Sequence, residues 1–98
     1  MPLLLQIEPS NRKGKKWKAN FVEPDGTVAS STHFGDSNYQ DYTQHGDLKR
    51  KTSYLLRHQG EDWDNFRTAG SLSRHILWGA STDFRTNVRL FKKKFKLV

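Results

Sequence analysis

Apolar residues recur at every second position near one end of this chain and at every third or fourth position near the other. Leu3, Leu5 and Ile7 alternate with Leu4, Gln6 and Glu8, and Trp17, Ala19 and Phe21 alternate with Lys16, Lys18 and Asn20. A period of two sets successive side chains on opposite faces of a strand. Pro9 ends the first run, and the polar stretch Ser10–Lys16 loops to the second. Glu23-Pro24-Asp25-Gly26 has turn chemistry, because Pro presets φ at the first corner and Gly takes a positive φ. Thr27–His33, rich in β-branched and small residues, then supplies a third strand. Strands joined this closely pair antiparallel without a crossover, so a three-stranded β-meander is expected over about 3–33.

Phe84, Val88, Phe91 and Phe95 follow the helical period, at spacings of four, three and four. Such a stripe packs one helix face against a core. Arg85, Arg89, Lys92 and Lys96 recur one residue later, which sets a basic stripe about 100° round the same helix. Ser81 or Thr82 is expected to cap this helix, with Asp83 meeting the positive end of its dipole and Lys92, Lys93 and Lys94 favourable at the other end. The change of period defines an α+β fold: a meander in residues 1–34, followed by three or four short helices in 35–98. Ninety-eight residues suit a single small domain. Only 34% of them are hydrophobic, so the core must lean on large rings. The expected core is Trp17, Phe21, Trp63, Trp78, Phe84, Val88, Phe91 and Phe95.

Between these two ends lies the densest polar and aromatic stretch, His33–His58. Asp36 and Asp47 each follow a glycine closely and are expected to cap successive helices. These would run from about Ser37 to Gln44 and from Leu48 to His58, with a break at Gly46. His33, His45 and Tyr54 are expected to brace that break with local hydrogen bonds. Gly60 would close the second helix in the left-handed conformation. In that helix Leu48, Thr52 and Leu55 share a face. Trp63 and Phe66 are expected to fold back onto the core, and Thr68–Trp78 to form a further helix stopped at Gly79.

Several chemistries are excluded or weakly signalled. With no cysteine, disulfides, zinc-thiolate sites and thiol catalysis are impossible. His33, Asp36, Asp41 and His45 are candidate nitrogen and oxygen ligands for zinc or a harder transition metal, Asp41 and His45 being one helical turn apart. No HExxH-type pattern supports them, and caps and local packing account for the same residues. No GxSxG elbow and no phosphate-cradling glycine loop occurs. The reading is therefore non-enzymatic, without a cofactor; a small metal-dependent enzyme is the second alternative. Met1–Ile7 lacks a basic leader and a cleavage site, and no stretch is long enough to span a membrane. A soluble intracellular protein is expected, or one carried elsewhere by assembly.

The net charge of +7 is unevenly placed. Residues 1–18 carry five basic groups and one acid, residues 85–98 carry six basic groups and no acid, and the middle is mildly acidic. Such asymmetry points to an acidic partner, most often nucleic acid. Arg12, Lys13, Lys15, Lys16 and Lys18 surround a tight loop containing Trp17, an arrangement that can grip phosphates while a ring stacks on a base. Arg85, Arg89, Lys92, Lys93 and Lys96 can track a backbone. The alternative for both sets is a solvated face with Trp17 in the core. No helix-turn-helix or RNA-recognition pattern is legible, so binding is expected to be largely independent of sequence, to DNA before RNA.

Read together, HFG at 33–35, DYT-x-H at 41–45, RK-xx-Y-xx-RH at 50–58, and TAG-xx-SR-x-ILW at 68–78 resemble a family of small, uncharacterised proteins encoded mainly by large DNA viruses of algae and protists. The resemblance covers about His33–Trp78. This chain departs from it with Gly46-Asp47-Leu48, where relatives often have an Asp-Pro step, and with Leu72 where an aromatic is usual. The resemblance implies a viral origin, residence inside the host cell during infection and in the virion, and no catalytic residue. It also raises an alternative partner: a minor capsid protein would set its basic termini against acidic faces of major capsid proteins.

Overall fold

A computed structural model of the chain describes residues 2–98. Three strands, β1 (Leu4–Pro9), β2 (Lys15–Val22) and β3 (Val28–Asp36), form an antiparallel sheet in that order, as the alternation predicts. Leu5 pairs with Phe21 and Trp17 with Phe34, so the inward residues of neighbouring strands fall in register on one face. Gly26 takes φ 91° in the β2–β3 turn, the role expected of it. The third strand runs three residues past His33. Asp36 still pairs with Lys15, and Gly35 crosses there at φ 83°. A Cβ on Gly35 would lie 2.9 Å from Leu77 Cδ1, so only glycine lets the strand pass so close to the helical layer.

Four helices follow. The first, α1, is a single turn at Tyr42–His45 and not the expected Ser37–Gln44. Asp36 does not cap it: its carboxylate accepts the Asn38 N–H in a tight turn after β3. Asp41 is the cap, taking the Thr43 N–H while Gln44 reaches back to the Asp41 N–H, a complete capping box. Gly46 ends the turn at φ 63°. The second helix, α2, spans Leu48–His58 and is capped by Asp47, whose Oδ1 accepts from Lys49 and Arg50. Gly60 plays no left-handed part; Gln59 ends α2 in a right-handed conformation. Of the face that Leu48, Thr52 and Leu55 share, only Leu55 is half-buried. Leu48 and Leu56 are exposed, and Tyr54 is the buried residue.

The third helix, α3, is Ala69–Leu72, capped by the Thr68 hydroxyl. It widens into a π-helical stretch over Ser73–Leu77, ending at Trp78. The wider coil frees carbonyls at its end, and two cations meet them. Arg74 donates to Trp78 O at 2.9 Å and Lys51 to Gly79 O at 2.7 Å. In the last helix, α4 (Phe84–Phe95), Asp83 and not Ser81 or Thr82 takes the cap position, and its carboxylate accepts from the Thr86 hydroxyl and from no backbone N–H of the first turn.

Sheet and helices make two layers. Leu5, Ala19, Phe21 and Phe34 from the sheet meet Leu72, Ile76, Leu77 and Phe91 from the helices. Phe21 and Phe91 thus sit at the centre as expected. Trp17, Trp78, Phe84, Val88 and Phe95 pack around the cluster half-buried, while Leu5, Phe34, Leu72, Ile76 and Leu77 take the interior. Trp63 is half-buried under the Arg74 guanidinium, 5.2 Å from its ring. Helix α4 crosses the sheet from end to end. Trp17 stacks on Phe84 at 4.7 Å at one end, and at the other the Val98 N–H donates to Leu3 O at 2.8 Å.

Buried Asn87 has no counterpart in the sequence reading. Its Nδ2 donates to Ile76 O at 2.8 Å and Ser81 O at 2.7 Å, and its Oδ1 accepts the Ser81 N–H at 3.0 Å. One side chain therefore satisfies the backbone of the loop between the π-helical stretch and α4. Gly79 fits beneath it because any Cβ would collide with His75 O and with Asn87.

Candidate functional site

The two basic segments lie at different points of the fold, one at the β1–β2 turn and one along α4. Arg12, Lys13 and Lys15 are exposed around the β1–β2 turn, with Lys18 half-buried on β2. His33 reports their proximity: partial desolvation, then the charges of Arg12, Lys18 and Lys15, hold its imidazole below the ordinary range. Because Trp17 stacks on Phe84, the start of α4 lies against this end of the sheet. Arg85, Arg89, Lys93 and Lys96 are exposed along α4, and Lys92 is half-buried. A 12-residue helix carries that stripe about 18 Å from the hairpin end towards the Leu3 end.

Two of the expected contacts are otherwise engaged. Lys16 donates to Asp41 Oδ2 and to Gln44 Oε1, both at 2.6 Å, and so ties β2 to the capping box of α1. Trp17 spends a ring face on Phe84. Among the described residues only two ion pairs form, Lys16–Asp41 and His58–Glu61. The other cations of both segments have no carboxylate partner there.

The candidate metal ligands disperse. His33 Nδ1 bonds Ser10 Oγ at 2.7 Å beside β2, and Asp36 holds its turn. Asp41 is buried against Lys16 and the Thr43 hydroxyl. His45 Nδ1 accepts the Asp47 N–H at 2.8 Å, which places the ring proton on Nε2. This bond braces the Gly46 turn as expected, whereas His33 and Tyr54 take no part in it. Among the described residues no three potential metal-binding groups converge, and no helix is long and apolar enough to cross a membrane.

What the sequence reading missed is a groove of about 810 Å³ between α1, α2 and the α3–π stretch. Its floor is a column of rings. Tyr54 lies parallel to Trp78 at 4.3 Å and 5°, and His58 stacks on the other face of Tyr54 at 4.3 Å. Burial, reinforced by the Glu61 carboxylate, pushes the Tyr54 phenol up to about 12, so it stays protonated and serves as packing. Arg50, Ser53, Tyr54 and Arg57 all line the groove. Their spacing of three, four and seven residues sets them on one stripe of α2. The signal was present in the sequence but was outweighed by Leu48 and Leu55.

Residues 5–58, more than half of the chain, match the pattern of a known protein family, spanning all of the sheet but Leu4, with α1 and α2. No curated protein and no solved structure matches the chain. The segment Thr68–Trp78, which closes the groove, lies beyond the matched residues, as does α4. The chain belongs to this group, described as a family of unknown function (DUF5754).

Proposed function

We propose that this protein is a non-enzymatic nucleic-acid-binding protein that holds phosphates largely without regard to sequence. The supporting observation is charge left uncompensated. Seventeen Lys and Arg face ten Asp and Glu, and the basic hairpin and the α4 stripe carry no ion pair among the described residues except Lys16–Asp41. Arg12, Lys13, Lys15 and Lys18 grip at the hairpin, and Arg85, Arg89, Lys92, Lys93 and Lys96 along α4. Phosphate contacts of this kind position a backbone and read no bases. The motif resemblance adds the setting: a protein of a large DNA virus, acting in the host cell interior and packaged in the virion, with DNA as the first partner to test.

A salt titration on duplex DNA tests the mechanism. Contacts to about five phosphates give a log–log slope of about −4 to −5, through counterion release. Lys92→Ala with Lys93→Ala should flatten that slope by up to about two units. Binding that is unchanged between about 50 and 200 mM salt refutes phosphate contact. Stoichiometric recovery on purified empty shells, with little affinity for DNA, would instead make the acidic faces of capsid proteins the partner.

A further inference from the structure

The groove beneath α2 contains features that a surface built only for backbone phosphates has no need of. We infer that it is a second binding site, for an unpaired nucleotide of a single strand. This inference rests on the nucleic-acid reading above and deepens it.

The argument starts from size and composition. At about 810 Å³, the groove is within the roughly 300–1,000 Å³ of pockets that take small ligands. Lys15, Lys49, Arg50 and Arg57 line it, and none has a carboxylate partner among the described residues. Arg50 and Arg57 stand two turns apart on α2, about 10.5 Å along its axis, and can each hold a phosphate of one extended strand.

Four acids line the groove as well, and all four are engaged. Asp41 is held by Lys16, and Asp47 accepts the first N–H groups of α2. Glu61 pairs with His58, and Asp36 accepts the Asn38 N–H. The groove's anion-binding groups are the cations of its α2 wall and Lys15, and the Asp36 and Asp47 carboxylates, bonded only to N–H groups, keep their charge beside them.

The rings decide what accompanies the phosphate. Tyr54 is covered on both faces, by Trp78 and His58, so it braces the floor and offers no stacking surface. Tyr39 does. It lines the groove and is 71% exposed, the most exposed large apolar side chain among the described residues. A ring so placed gains by covering a planar partner, and every nucleobase has a π-face to give it. In a duplex those faces are already stacked on neighbouring bases. Only an unpaired base can lie on Tyr39 while its phosphates reach Arg50 and Arg57.

Fluorescence anisotropy with a labelled oligothymidylate, which cannot self-pair, and with a duplex of equal length separates the two surfaces. Tyr39, Arg50 and Arg57 are all exposed, so their replacement should leave thermal melting by circular dichroism unchanged. Tyr39→Ala, and separately Arg50→Ala with Arg57→Ala, should weaken oligothymidylate binding about tenfold and duplex binding by less than about twofold. Lys92→Ala with Lys93→Ala should do the reverse. If the groove variants leave oligothymidylate binding intact, or weaken both ligands equally, the groove site is refuted while the phosphate reading stands on its salt slope. If the unaltered protein binds neither ligand, both fall.

Discussion

Replacing Asn87 tests the packing of the helical half most sharply. The side chain is 1% exposed and satisfies three backbone groups at once: Ile76 O, Ser81 O and the Ser81 N–H. Asn87→Leu keeps the volume and removes every partner. A buried polar group left unpaired costs about 1–3 kcal/mol. Only the Ile76 bond is fully buried, and with the low end taken for all three a minimum of about 3 kcal/mol follows. Small domains hold about 5–15 kcal/mol in all, and at about 4–8 °C per kcal/mol the melting temperature should fall by about 12–24 °C. Asn87→Asp retains the acceptor for Ser81 but turns a negative charge on two carbonyls, and should be at least as damaging. Thr86→Ala, one residue away, loses an exposed bond to Asp83 and a long, exposed one from Arg89, and should cost under about 1 kcal/mol. Thermal melting of the four proteins by circular dichroism is the assay. If Asn87→Leu melts within about 4 °C of the unaltered chain, the loop is held by something other than Asn87.

Two aspartates that both cap helices should differ in cost. Asp47→Ala loses an exposed cap, worth about 1 kcal/mol, whereas Asp41→Ala also strands Lys16 in a half-buried site and should cost about 3 kcal/mol. The opposite order of melting temperatures would show that the Lys16–Asp41 tie is dispensable. His75 should make stability depend on pH. Burial holds its imidazole below 6.5, although the bond to Trp63 O opposes this. The folded state thus binds the proton more weakly than the unfolded chain, so the contribution is complete above 6.5 and is lost as pH falls through the lower folded value. Melting temperatures measured between about pH 7.5 and 5 should decline, and His75→Gln should flatten the decline; equal slopes refute the assignment.

The sheet could be read almost completely from the sequence because its causes are local. Alternation sets the faces of β1 and β2, and Pro24-Asp25-Gly26 sets the turn, so neither waits on distant contacts. Only the end of β3 escaped, because Gly35 resembles a helix-opening signal until Leu77 is seen to need the space. The helical half was harder for the same reason in reverse. Asp36 and Asp41 are equivalent as caps in one dimension. What separates them is Lys16, twenty-five residues before Asp41, whose ammonium reaches the Asp41 carboxylate. Leu48, Thr52 and Leu55 share a face of α2, but this helix is held by the Tyr54–Trp78 stack, and a ring contact across twenty-four residues leaves no periodic trace.

The candidate site divides along the same line. Every cation at the hairpin and on α4 was visible as a run or a stripe, and only Lys16 proved to be committed elsewhere. The groove was invisible because no single stretch carries it: Tyr39 comes from the loop after β3, Arg50 and Arg57 from α2, and Trp78 from the end of the π-helical stretch. Each has a sufficient local explanation by itself, as a loop residue, a helical surface charge or a core ring. Only the fold brings them together. It buries Tyr54 against Trp78, turns Arg50 and Arg57 to the same side and leaves Tyr39 uncovered. The family match ends at residue 58, so it includes the cationic wall of the groove and omits Trp78. A relative that keeps Arg50 and Arg57 but has no ring at position 78 would lack the prop for Tyr54, and its α2 should lose orientation before it loses charge. Such a chain should retain salt-dependent duplex binding and bind oligothymidylate weakly, as should Trp78→Ala in this one.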